Sequence, residues 1–175
     1  MARRRLAEAP SAYQRAITRL ARRDHSESEL RRALLERGHE SEEVEAALQR
    51  LRSERYLDDR SFSERFARSR LAGSGLGRLR VRQGLRQRGV EKGTAEAGLR
   101  AALRDVPEAG VLEAVARRYW RQRTRDEPAL RLRKLWAFLL RRGFPASLVN
   151  ERLRALWPRW QDAIAGLEPV EETEA

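Results

Sequence analysis

Apolar residues recur at helical spacing from Leu30 to Leu35, and Arg37-Gly38 then stops the run. A second helical run carries Val44, Ala47, Leu48 and Leu51. The stretch "LRRALLERGHESEEVEAALQRL" therefore predicts two helices with Gly38 at the turn, where positive φ most easily ends a helix. The pattern returns around Gly89 and Gly143, spaced 51 and then 54 residues apart. Leu30, Val81 and Leu135 stand eight residues before the glycines, and Leu34, Leu85 and Leu139 four before. Arg37, Arg88 and Arg142 stand directly before, while Val44, Ala95 and Val149 follow by six and Leu48, Leu99 and Leu153 by ten. Three copies with matched apolar positions predict a helical repeat, which sets the fold of the whole chain.

The remaining segments add one helix to each copy. Pro10-Ser11 opens a helix reaching Asp24, and Ser26 with Glu29 spells a capping box for the next. A third helix runs from Ser41 to about Arg55. Asp58-Asp59 suit a helix start, where negative charge meets the dipole. A helix over 60–72 follows, with Ser61 and Glu64 as its capping box and Phe62 and Phe66 on one stripe. Helices over 76–88 and 91–104 complete the second set. Gly84, Gly93 and Gly98 weaken it locally, each by about 1 kcal/mol against alanine, although Gly84 also permits close helix packing. The third set spans 109–124, 128–142 and 145–165, with Pro158 interrupting the last helix. The prediction is an all-α chain of nine helices in a tandem, elongated array of three-helix, helix-turn-helix-like repeats. Its divisions are a disordered basic arm (1–10), repeats over 11–58, 59–106 and 107–165, and a disordered acidic tail (166–175).

Composition narrows the function. Only 6% of the 175 residues are aromatic, so the cores rest on Leu, Ala and Val, and each small unit needs neighbours to cover its open faces. The chain has no cysteine, which removes disulfides and thiolate chemistry. No apolar run is long enough to span a bilayer and the N-terminus does not resemble a secretory signal, so a cytoplasmic location is expected. The net charge of +12 favours a polyanionic partner. It is uneven: residues 59–106 hold 12 Lys+Arg against 5 Asp+Glu.

No catalytic constellation, cofactor site or metal-ligand set is legible. His25 and His39 are the only histidines, and His39 shares its repeat position with Val90 and Phe144, which marks a packing position. "AGSGLG" follows a helix and lacks the Gly-Lys-Ser/Thr of a phosphate loop. The arginine before each glycine reads as structural, since a cation suits the last helical turn. Trp120 and Trp136 read as core, and Trp160 is not assigned. The binding candidates are Arg78, Arg82 and Arg86, which form one stripe beside the core face at 100° per residue. Arg65, Arg68, Arg70 and Arg80 thicken that field. Arg117, Arg118, Arg121, Arg123 and Arg125 form a second cluster, offset by Asp126 and Glu127.

The stretches "SESELRRALLERGHESEEVEAALQRLRSERYLDDRSFSERFARSRL" and "GLGRLRVRQGLRQRGV" resemble the RecX family, modulators of the RecA recombinase. "LRKLWAFLLRRGFPASLVNERL" continues the resemblance, while "VEKGTAEAGL" is poorer in apolar residues than the family pattern. The resemblance implies a curved array of three three-helix units without enzymatic activity. It implies binding in the groove of the RecA filament on single-stranded DNA, with filament growth, ATP hydrolysis and strand exchange restrained. It places the chain in DNA repair, homologous recombination and the SOS response; separately, a monomer without a membrane partner is expected. The main alternative is a helix-turn-helix protein that binds single- or double-stranded DNA directly. A nuclease would need an acidic metal cluster that the sequence does not show.

Overall fold

The computed structural model describes residues 10–157, and among these there is no strand. The helices are α1 (Ala12–Leu20), α2 (Glu27–Leu35), α3 (Ser41–Ser53), α4 (Asp59–Arg68), α5 (Arg78–Gln87), α6 (Lys92–Asp105), α7 (Glu108–Gln122), α8 (Pro128–Arg141) and α9 (Ala146–Leu156). A π-helical turn, Ser69–Gly73, extends α4. Taken three at a time, the helices enclose three separate apolar cores. Leu30, Leu34, Val44 and Leu48 sit in the first, Val81, Leu85, Ala95 and Leu99 in the second, and Leu135, Leu139, Val149 and Leu153 in the third. None of these matched residues is more than 2% exposed. Gly38, Gly89 and Gly143 all have φ between 72° and 83°, so each helix pair turns through the left-handed region that glycine occupies without steric cost.

Local details depart from expectation where tertiary neighbours intervene. The capping box of Ser26 and Glu29 forms on α2. That of Ser61 and Glu64 does not, because Asp58 is the N-cap of α4 and accepts the N–H groups of Arg60 and Ser61 at 2.9 and 3.2 Å. α1 ends at Leu20, short of Asp24. The segments assigned to the arm, to the tail and to Pro158 and Trp160 lie almost wholly outside the described residues. The glycine-rich middle set also gains something from its glycines. A Cβ at Gly98 would meet Ser63 Cβ at 2.5 Å and Glu64 N at 2.9 Å, so Ser63 and Gly98 let α4 and α6 approach closely. A Cβ at Gly84 would touch the Phe66 ring at 3.0 Å. Close backbone approach thus offsets the propensity cost of these glycines and the shortage of apolar side chains on α6.

The domains are joined by one device used twice. At the first junction the Glu27 N–H donates to Asp59 Oδ1 at 2.9 Å, and Ser26 Oγ donates to the Arg88 carbonyl at 2.5 Å. At the second, the Arg78 N–H donates to Glu108 Oε1 at 2.6 Å, and the Gly77 N–H donates to the Arg142 carbonyl at 2.9 Å. Each time, the first residue of the following domain's opening helix caps the second helix of the domain before it. Each time, the N-terminal turn of that second helix also seats on the Arg-Gly turn of the following domain. A Cβ at Gly89 would lie 2.1 Å from Ser28 Oγ, and one at Gly143 would lie 2.4 Å from the Arg80 nitrogen. Asp59 therefore serves α2 as well as opening α4, which goes beyond the dipole role expected from sequence.

Burial pushes both capping carboxyls, Asp59 and Glu108, above the usual carboxylate range. For an acid whose folded pKa is raised, the folded state retains the proton to higher pH than the unfolded state. Stability then falls as pH rises from the unfolded value, about 4.3 for glutamate, through the folded one. Glu108→Gln keeps an acceptor for the Arg78 N–H but carries no charge. Urea midpoints measured at intervals from pH 4 to 7 should show that fall in the wild type and a smaller one in the variant. Equal pH profiles would remove Glu108 from the account.

Candidate functional site

The seven arginines singled out in the second domain do not form one free patch. α5 does carry Arg78, Arg82 and Arg86 along one side, as its period requires. Arg82 is bound to the Glu96 carboxylate of α6 through Nε and Nη2, the latter at 3.0 Å. Arg78 has its guanidinium 3.7 Å from Glu108. Arg80 donates to Gln83 at 2.9 Å. On α4, Arg65 reaches Asp24 of the first domain at 2.7 Å, and Arg68 bridges Glu64 and Asp105. Arg70 lies over the Phe66 ring at 5.1 Å. Arg86 is exposed and has no polar partner among the described residues. Four of the seven thus hold carboxylates, which lowers the field they present without removing it.

The third domain presents a more open positive surface. A groove of about 620 Å³ between α7 and α8 is lined by Arg118, Arg123, Lys134, Arg141 and Arg142. Tyr119 and Phe138 line it too, with ring centroids 4.8 Å apart. Arg118 and Arg141 are exposed and have no partner among the described residues. Of the acids expected to offset this cluster, Asp126 neutralises Lys134 of the groove at 2.9 Å, while Glu127 caps α8 by accepting the Leu130 N–H at 3.0 Å. Sequence reading found Arg117 to Arg125 but not the groove, because Arg141 joins Arg118 only when α7 packs on α8.

The remaining chemistry-bearing residues are structural. His25 is 6% exposed, and burial and then Arg23 press its pKa below the ordinary imidazole value, so the ring is neutral at pH 7. His39 Nδ1 lies 2.9 Å from Glu43, whose other oxygen accepts the Ala12 N–H at 2.7 Å. No group of three metal-binding side chains occurs among the described residues. In the Gly73–Gly77 turn, the Ser74 and Gly75 carbonyls accept the Arg142 guanidinium at 2.6 and 3.0 Å. Phosphate cradles need convergent N–H donors, and this turn presents carbonyls to a cation instead. Trp136 is buried and donates to Asn150 at 2.9 Å. Trp120 is covered by Arg131 at 3.6 Å and packs on Trp157 at 4.8 Å, so its faces are already occupied.

Three models of successive RecX domains match the chain in tandem. The first three-helix domain matches residues 12–51, the second 58–99 and the third 108–153. The chain belongs to the RecX family. Among its relatives, the regulatory protein RecX of Xanthomonas axonopodis pv. citri is 38% identical over 141 residues, covering 81% of this chain and 85% of the relative. That of Pseudomonas entomophila is 35% identical over 147 residues, covering 83% and 92%. Among solved structures, RecX from Lactobacillus salivarius superposes with a TM-score of 0.73 over 83% of this chain and 94% of that one. Its identity is 16%, so the likeness is one of fold. A second structure of a regulatory protein RecX gives 0.68 at 25% identity, covering 79% and 68%. This RecX-family chain therefore has the three tandem three-helix domains of its relatives and belongs with regulatory proteins. No described helix is long and apolar enough to cross a membrane.

Proposed function

We propose that this chain regulates the RecA recombinase by binding the RecA filament on single-stranded DNA, and that it restrains filament growth, ATP hydrolysis and strand exchange without chemistry of its own. The observation that carries the reading is a tandem RecX fold with exposed arginines that have no carboxylate partner among the described residues. They include Arg86 on the α5 face and Arg118 and Arg141 in the groove of the third domain. A nucleoprotein filament is a polyanion, and each phosphate neutralised releases counterions, so such faces favour it strongly at moderate salt. Three domains joined by direct hydrogen bonds can reach more than one RecA protomer. On this reading Arg78, Arg80, Arg82 and Arg86 face the DNA phosphates or acidic protein of the groove, flanked by Arg65, Arg68 and Arg70. The protein acts in the cytoplasm, where RecA and DNA are.

The combined variant Arg78→Ala, Arg82→Ala, Arg86→Ala should weaken filament binding, with helix content by circular dichroism unchanged. Because Arg78 and Arg82 also hold Glu108 and Glu96, Arg86→Ala alone is the cleaner companion and should show part of the loss. Unchanged affinity of both variants across several salt concentrations would remove this face from the interface. Tight binding to bare DNA, with a steep salt slope and no gain from RecA, would favour a direct DNA-binding protein instead.

A further inference from the structure

Three Arg-Gly turns close the second helix of the three domains, and two of them are occupied. The Arg88-Gly89 turn receives the N-terminal turn of α2, and the Arg142-Gly143 turn receives that of α5. The occupant has the same character in both: backbone or hydroxyl donors at the cap meet the carbonyls of the turn. Ser26 Oγ donates to the Arg88 carbonyl, and the Gly77 and Leu79 N–H groups donate to the Arg142 and Gly143 carbonyls at 2.9 and 3.0 Å. A carboxylate one turn into the first occupant, Glu29, lies 3.7 Å from the Arg88 guanidinium. Glycine is required because any Cβ would strike the occupant.

The third turn, Arg37-Gly38 in the first domain, has the same conformation with nothing among the described residues seated on it. Gly38 has φ +82°, and a Cβ there would meet nothing within 4 Å. Its neighbour Arg37 is exposed, whereas Arg88 and Arg142 are half-buried. The Arg37 and Gly38 carbonyls accept no hydrogen bond from the described residues. A groove of about 570 Å³ beside the turn is lined by Arg19, Arg22, Arg23 and Arg37, and of these only Arg23 meets a carboxylate among the described residues. The carbonyl end of α2 carries the negative pole of its helix and the groove is cationic. The complement is the positive pole of an incoming helix that bears a carboxylate in its first turn.

We propose that the Arg37-Gly38 turn is a docking socket for a partner protein's acidic helix-opening turn: an α-helix N-terminus with free cap donors and an Asp or Glu within its first turn. Continuity with the two filled junctions supports a helix N-terminus as occupant, and the Glu29–Arg88 pair of the first junction together with charge complementarity supports its carboxylate. The inference builds on the filament reading, in which the first domain contacts the protein component of the filament. The socket gives that domain a contact independent of DNA phosphates. The α8 of a second copy is a poorer occupant: it opens with Pro128, which has no N–H to donate, and the neighbouring Leu130 N–H is already taken by Glu127.

The test is binding of the full chain and its variants to RecA filaments on labelled single-stranded DNA, followed by co-sedimentation. Gly38→Asn suits the purpose because asparagine tolerates positive φ and the added side chain has open space in the free protein. It should preserve the thermal midpoint to within a few degrees and weaken filament binding at least tenfold. Arg37→Glu should weaken it similarly, and Arg104→Glu, an exposed site on another domain with the same change in net charge, should do so far less. Wild-type binding with Gly38→Asn unaffected would overturn the socket and leave the filament reading intact, even if Arg37→Glu were weakened. Failure of the wild type to bind filaments would overturn the filament reading and the socket with it. Self-association of the wild type that Gly38→Asn abolishes would also overturn the proposal, by assigning the socket to a second copy.

Discussion

Gly77→Ala is expected to part the second and third domains. Gly77 is the N-cap of α5 with φ −80° and ψ 164°, a conformation open to any residue, so the substitution carries no backbone strain of its own. Its cost lies in space. A Cβ at this position would lie 2.3 Å from the carbonyl carbon and oxygen of Gly143 and from the Phe144 nitrogen. These are backbone atoms, which cannot swing aside as the end of a side chain can. The junction must therefore open, and with it go the bonds from the Gly77 and Leu79 N–H groups to the turn. The tie between Arg142 and the Ser74 and Gly75 carbonyls goes too. Overpacking alone costs about 1–3 kcal/mol, and each lost hydrogen bond adds about 1 kcal/mol. With four bonds lost, a loss of roughly 5–7 kcal/mol at the junction follows. Because each domain has its own core, the expected signature is uncoupling rather than simple loss of midpoint. Urea unfolding should separate into two transitions, and amide exchange at Gly77 and Leu79 should lose its protection. One transition at the wild-type midpoint, with protection retained, would contradict the described junction.

The second large effect is expected in the groove of the third domain. Arg118→Ala with Arg141→Ala removes two exposed guanidiniums that have no partner among the described residues, so the described fold should stay unchanged. If both meet phosphates of the filament, the slope of log affinity against log salt should fall in magnitude by about two. Affinity near physiological salt should fall roughly tenfold or more, and the difference should shrink as salt rises. The measurement is binding to RecA filaments on labelled single-stranded DNA at four or five salt concentrations. Parallel salt slopes for variant and wild type would mean that the groove faces away from the anionic partner.

The sequence made the repeat legible because matched apolar positions around three glycines report a local property, the packing of two helices across a turn. Helix caps within one segment, such as Ser26 with Glu29, were legible for the same reason. The junctions were not. Asp59 and Glu108 stand at helix starts, where an acid already has a sufficient local explanation, so their bonds to Glu27 and Arg78 carry no separate mark in the sequence. The Arg-Gly pair looked like a helix ending and proved also to be a seat for the preceding domain. The arginine stripe on α5 was placed correctly along the helix, but its pairing with Glu96 depends on how α6 crosses it. Gly98 reads as a weakness in a helix until Ser63 is found against it. The cationic groove was half visible, since Arg118 belongs to a sequence cluster and Arg141 comes from the helix packed beside it.

The most direct measurement is titration of the purified protein into RecA on single-stranded DNA with ATP, following ATP hydrolysis and binding to the labelled DNA together. The account predicts that hydrolysis falls at levels well below one protein per RecA, while binding to bare DNA at the same concentration stays weak. Inhibition seen only at concentrations that coat the bare DNA would contradict it and would mean competition for DNA rather than action on the filament.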